Sequence, residues 1–163
     1  MLKDWNKVEQ PTAEEVDKRL ANAKNSLLQQ QIAMKEKKLP VIVLLEGWGA
    51  AGKGSVLGKL IKNIDPRFFK VAVMDEPTEE EKRKPFLYRH FVKIPEAGKF
   101  VFMDSGWMSE VTSQKLSGEL SEEEQKKSIE SNKCFEGQVT DKGYLPLKFF
   151  FNIDKKEQKK RLK

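Results

Sequence analysis

An α/β fold with a mostly parallel sheet is expected from three observations. Apolar strand segments alternate with capped or amphipathic helical segments four times along 163 residues, the pattern in which helices cross over between parallel strands. The first strand, 41–46, is apolar at every position up to Glu46, as expected of a strand covered on both faces. It runs directly into a glycine-rich loop with a lysine, Gly47-Trp48-Gly49-Ala50-Ala51-Gly52-Lys53-Gly54-Ser55.

Taken in order, Thr12 and Glu15 form a capping box that opens a helix to about Lys38, with Leu20, Leu27 and Met34 at helical spacing. Pro40 stops it. After the first strand and its loop, a helix from Lys53 to Asn63 turns Leu57, Leu60, Ile61 and Ile64 inward, and Asp65-Pro66 is a turn. Phe69–Met74 reads as the second strand. Thr78 with Glu81 caps a helix carrying Leu87, Tyr88 and Phe91. Pro95 and Gly98 mark a turn before the third strand, Phe100–Met103, which ends on Asp104. Residues 106–120 are polar and carry no clear period. Ser121 with Glu124 caps a helix expected to end near Gly137, a natural left-handed position. Asp141-Lys142-Gly143 reads as a turn, Leu147–Ile153 as the fourth strand. Asp154 with Glu157 opens a last helix still running at Lys163, which suggests a fragment of a longer protein.

The loop carries the chemistry. Gly47, four residues, then Gly52-Lys53 is the spacing that wraps backbone N–H groups around a phosphate. The amides of residues 49–54 would form the cradle, the positive end of the next helix would face it, and Lys53 would bridge terminal phosphates. The position after the lysine, which ordinarily holds Mg²⁺ through Ser or Thr, is Gly54. Asp104 ends a buried strand where such enzymes place a Mg²⁺-side acid; an Asp capping the next helix is the competing reading. Arg89 could reach phosphate or form a helix-surface ion pair. His90, the single histidine, and Trp107 read as structural.

Length bounds the chain to one compact domain, 1–163. No run approaches the roughly 20 apolar residues of a membrane span, and Met1–Trp5 lacks a secretory pattern. A single cysteine, Cys134, fits a cytoplasmic location and is expected on a buried helix face. The net charge is +6, and residues 141–163 hold eight basic against three acidic side chains. Such local basicity suits a polyanion, although a solvated lysine-rich helix would look the same. No nucleic-acid recognition module is visible.

Glu46-Gly47-Trp48-Gly49-Ala50-Ala51-Gly52-Lys53-Gly54 resembles the glycine loop of the polyphosphate kinase 2 family. The order of Ile64-Asp65-Pro66-Arg67-Phe68, Leu87-Tyr88-Arg89, Asp104 with Trp107, Asn132-Lys133-Cys134-Phe135-Glu136, Asp141-Lys142-Gly143, Leu147-Lys148-Phe149 and Glu157-Gln158 with Arg161 is similar too. The resemblance implies a P-loop NTPase-like, thymidylate-kinase-like three-layer fold. It implies phosphoryl transfer between polyphosphate and AMP or ADP with Mg²⁺. It also implies an amino-terminal helical segment 1–40, a core 41–154 and a lid helix opening at 155–163.

Two departures fall on that chemistry. The family's loop usually has Asp where this chain has Gly49, and Arg-Ser-Trp-Tyr after the strand-three Asp where this chain has Ser105-Gly106-Trp107-Met108. Ser55 lies one residue late, about 100° around the helix. The pattern resembles the amino-terminal half of tandem members. The expectation is therefore a weak polyphosphate-dependent phosphotransferase; the alternative is a catalytically silent phosphate- or polyphosphate-binding partner domain of a tandem enzyme. The expected protein partner is a second domain or a homo-oligomer. Gly54 and the Glu157-Gln158 order argue against an ATP-dependent nucleoside monophosphate kinase.

Overall fold

The computed structural model describes residues 11–162; residues 1–10 of the expected amino-terminal segment, and Lys163 of the last helix, lie outside them. Four parallel strands form one sheet in the order β2-β3-β1-β4: β1 (Val41–Gly47), β2 (Phe69–Val73), β3 (Phe100–Asp104) and β4 (Leu145–Phe151). The helices are α1 (Ala13–Glu36), α2 (Lys53–Ile61), α3 (Glu79–Lys82), α4 (Tyr88–Phe91), α5 (Trp107–Leu116), α6 (Glu122–Asp141) and α7 (Lys155–Arg161).

The sheet has an apolar core on each face, which gives the three layers. Ile42, Leu44, Val101 and Met103 pack with Trp107 of α5 and Phe135 and Val139 of α6 on one side. Val41, Val43, Leu45, Phe100 and Phe102 pack with Leu57 of α2 and Leu27 and Met34 of α1 on the other. The continuous apolar reading of β1 thus reflects its central place, with Val41 to Leu45 all buried. The register sets Leu45 beside Asp104 and Gly47 beside Phe151, so the glycine loop emerges between the ends of β3 and β4.

Capping chemistry placed three helix starts correctly: Thr12, Thr78 and Ser121 each accept from the amide three residues on, with the reciprocal glutamate bond present. Between α2 and β2, Asp65 accepts from the Arg67 amide, and the Arg67 guanidinium lowers its carboxyl to about 2.

Several expectations are corrected. The helix expected from Thr78 through Phe91 is two short ones, because Pro85 removes an amide donor and its ring blocks a continuous helix. Residues 107–116 are helical although their side chains are polar; Trp107 and Val111, one turn apart, are buried and anchor the segment. Helix α6 continues past Gly137 to Asp141. The left-handed residue is Gly143 (φ 83°), where the Gly143 amide bonds to the Thr140 carbonyl and the Tyr144 amide to that of Val139. Strand β4 starts and ends two residues earlier than expected, because Val41 pairs with Leu145. Leu20 is exposed, and α1 reaches the core only from Leu27 onward. Cys134 is exposed, not buried: α6 turns Asn132, Phe135 and Val139 inward, and Cys134 falls off that stripe. Helix α7 ends at Arg161, capped by Leu162.

Candidate phosphate-binding site

The glycine loop is held by its own carbonyls. Lys53 Nζ donates to the Gly47 carbonyl at 3.1 Å and to that of Trp48 at 3.3 Å. The Ala51 amide closes a turn onto the Trp48 carbonyl, and the Trp48 amide bonds to Phe151 at the end of β4. The Trp48 ring turns away from the loop, giving its Nε1–H to Asn152 Oδ1 at 2.9 Å and an edge contact to Phe150. Among the described residues, the amides of Gly49, Ala50, Gly52, Lys53, Gly54 and Ser55 donate to nothing in the protein. The last three are the first amides of α2, which a helix leaves without internal partners. A row of free amides at the positive end of a nine-residue helix is an arrangement able to receive an anion.

Gly47 has a positive φ of 130°, and a β-carbon there would fall 2.7 Å from the Phe151 nitrogen and 2.9 Å from its carbonyl carbon. Gly47→Ala is therefore expected to cost on the order of 3 kcal/mol, because the obstacle is backbone. Thermal unfolding checks it, and a variant as stable as the parent would contradict this account of the β1–β4 junction.

Ala50, Ala51, Gly52, Lys53, Gly54 and Ser55 line an open cavity of about 450 Å³ together with Val73, Met74, Asp104 and Ser105. The structure thus brings Lys53, Asp104 and the second half of the loop together, while Gly47, Trp48 and Gly49 stand behind them. Asp104 caps no helix: the residue before α5 is Gly106, and no side chain caps that end. No group of three metal-ligating His, Cys, Asp or Glu side chains occurs among the described residues. Asp104 is the one carboxylate among the described residues lining this cavity, with Ser55 and Ser105 also on its wall, a sparse oxygen set. It fits Mg²⁺, which keeps several waters and takes its other ligands from substrate phosphates.

Arg89 lies elsewhere. It is buried, gives an Nη2 hydrogen bond to the Asp75 carbonyl, and makes no ion pair among the described residues, which removes the helix-surface alternative. Its Nε has no partner. It lines a second cavity of about 420 Å³ with Asp75, Glu76, Ser109, Glu110 and Gln114. Met74 and Ser105 border both cavities. His90 is fully buried, 3.1 Å from Glu110 and edge-on to Trp107, and Trp107 packs in the core as expected.

Sequence reading missed Glu46, a buried carboxylate that accepts from Ser109 and leaves its Oε1 unpartnered. A lone acid closing an apolar strand was the available signal. Gln158 and Arg161, marked in the sequence only by the order they share with the family, donate from α7 to loop carbonyls, a role their local sequence does not show.

A family model described as polyphosphate kinase 2 matches residues 10–163. An ADP-polyphosphate phosphotransferase 3 of Rhizobium meliloti is 29% identical over 146 residues, covering 90% of this chain and 51% of that protein. A polyphosphate:AMP phosphotransferase of Pseudomonas aeruginosa is 30% identical over 148 residues, covering 90% of this chain and 30% of that one. The crystal structure of a polyphosphate kinase 2 from Arthrobacter aurescens superposes with a TM-score of 0.89 at 25% identity, over 94% of this chain and 56% of that one. The chain spans about half the length of these relatives or less. With its strands, loop and helices matched from residue 10 onward, the chain belongs to the polyphosphate kinase 2 family.

Proposed function

We propose that this chain moves a phosphoryl group between inorganic polyphosphate and AMP or ADP. The observation that carries the reading is the convergence of free loop amides, Lys53 and Asp104 on one cavity. Polyphosphate lies on the loop, its terminal oxygens received by the amides of Gly52 to Ser55 and by Lys53. Two of the three Lys53 donors are engaged with carbonyls, which leaves the third for phosphate. The acceptor occupies the adjoining cavity, where Arg89 is buried with an unpartnered Nε. A phosphate oxygen of the acceptor attacks the terminal phosphorus as the bond to the bridging oxygen breaks, and the polyphosphate leaves one unit shorter. Asp104 would hold Mg²⁺, which when bound neutralises charge on the transferring group.

Turnover is slow in this reading. Phosphoryl transfer rests on positioning and charge neutralisation. Among the described residues lining the loop cavity, Lys53 is the single cation and Asp104 the single carboxylate. Gly49 and Ser105 stand where the family resemblance leads one to expect Asp and Arg, which equally favours a second reading: a binding module that leaves catalysis to a partner domain. Within the described residues, we assign 11–40 to an amino-terminal helical segment, 41–154 to the core and 155–162 to a lid helix.

Purified chain incubated with polyphosphate, AMP or ADP, and Mg²⁺ tests both. Nucleotide phosphorylation is expected to exceed that of Lys53→Ala by about 10²-fold. Equal rates would overturn the enzymatic reading, and Lys53-dependent polyphosphate binding without product would establish the second. Replacing polyphosphate by ATP is expected to give no product.

A further inference from the structure

Four consecutive carbonyls, Gly47 to Ala50, could turn their negative ends toward a bound phosphate, and each is engaged by a donor. Lys53 takes the first two. The other two are taken from α7: Gln158 Nε2 donates to the Gly49 carbonyl at 3.1 Å, and Arg161 Nη1 to that of Ala50 at 3.3 Å. Arg161 is itself oriented by Glu157, 2.7 Å from its Nε.

Resting on the phosphate-loop reading above, we infer that Gln158 and Arg161 are positioning residues that set the loop in its anion-binding form. In a trans peptide the N–H points opposite to its carbonyl. A donor that draws the Gly49 carbonyl onto α7 therefore turns the Ala50 amide the other way, and Ala50 lines the cavity. Two features make outside support necessary. Ala50 has a φ of 60°, a left-handed conformation that costs a non-glycine residue about 1 kcal/mol or more. Gly49 has open space around its Cα and no side chain to restrict it, so its backbone has more freedom to lose than any other residue would. The bonds from α7 oppose both costs. Because they form only when α7 docks, anion binding and α7 docking favour each other.

Calorimetric titration of the full chain with tripolyphosphate tests this. Gln158→Met removes the donor without changing charge, and is expected to weaken binding roughly three- to tenfold. Arg161→Met is expected to weaken it at least as much. Arg161→Lys and Gln158→Lys, which restore a donor, should recover most of the loss. Lys159→Met and Lys160→Met, exposed neighbours on the same helix, control for charge and should change affinity less than about threefold. All variants should melt with the parent, since Gln158 and Arg161 lie outside both cores. If Gln158→Met binds like the parent while Lys53→Ala does not, the positioning role fails and the phosphate loop stands. A loss in Lys159→Met equal to that in Arg161→Met would also overturn it, in favour of diffuse attraction. If the parent does not bind, or Lys53→Ala binds equally, the phosphate-loop reading fails and this inference with it.

Discussion

Gly49→Asp combined with Ser105→Arg is expected to raise phosphoryl transfer by about 10³-fold or more, the scale on which one arginine at a transferring phosphoryl group acts. The backbone accepts a β-carbon at both positions. A β-carbon at residue 49 meets nothing within 4 Å. Ser105 already holds a φ of 75° with a β-carbon in place, so arginine adds length without new backbone strain. One substitution adds a carboxylate and the other a cation, so net charge and long-range attraction of a polyanion are unchanged. The gain should therefore appear in kcat rather than in KM. The introduced guanidinium would extend from the wall shared by the two cavities, next to Asp104. Each single variant should recover less than its share, because groups acting on one transferring phosphoryl are not additive. A double variant with the parent's rate would mean that the cavity binds phosphate without aligning the acceptor, and the binding-module reading would replace the enzymatic one.

The largest stability effect is expected at Trp107. It is completely buried, edge-on to Phe135 at 5.0 Å and to His90 at 5.8 Å. Its Nε1–H reaches Glu136 at 2.7 Å, the same carboxylate that pairs with Lys148 of β4. Trp107→Ala removes the packing and leaves a cavity, a loss of about 3–5 kcal/mol. For a domain of this size each kcal/mol lowers Tm by roughly 2–4 °C, so a fall of about 10 °C is expected. Trp107→Phe keeps most of the buried surface and gives up the hydrogen bond, and should fall between the two. Calorimetric melting checks the order; an alanine variant within about 2 °C of the parent would show that α5 is not pinned by this ring.

Legibility followed the range of the interaction. The three capping boxes and the buried run of β1 act within a few residues and are present in the structure. Helix α1 ends at Glu36, ahead of Pro40, where Lys38 takes a left-handed φ of 54° and the Leu39 amide bonds back to the Met34 carbonyl. The strand–glycine loop–helix unit was readable because glycine spacing, a preceding strand and a following helix are themselves local. Helix α5 was not, because its side chains are polar and it begins on Gly106 with no side-chain cap; its identity comes from the docking of Trp107 and Val111. The end of α6 was misplaced at Gly137 because a glycine inside a helix is tolerated when neighbours pack, whereas Gly143 has the positive φ. Cys134 was misassigned because periodicity in α6 is weak and the face is chosen by Phe135 and Val139.

The site divides in the same way. Lys53 and its loop are products of contiguous residues, and Asp104 is marked by ending an apolar strand. Their meeting depends on β1 lying beside β3, with Leu45 opposite Asp104. Arg89 lines the neighbouring cavity from α4, the short helix that follows Pro85. The donors on α7 stand 109 and 111 residues from the carbonyls they engage. No pattern within a window of sequence encodes that contact. It arises because β4 pairs along β1 as far as Gly47, which delivers the chain into α7 at the mouth of the loop.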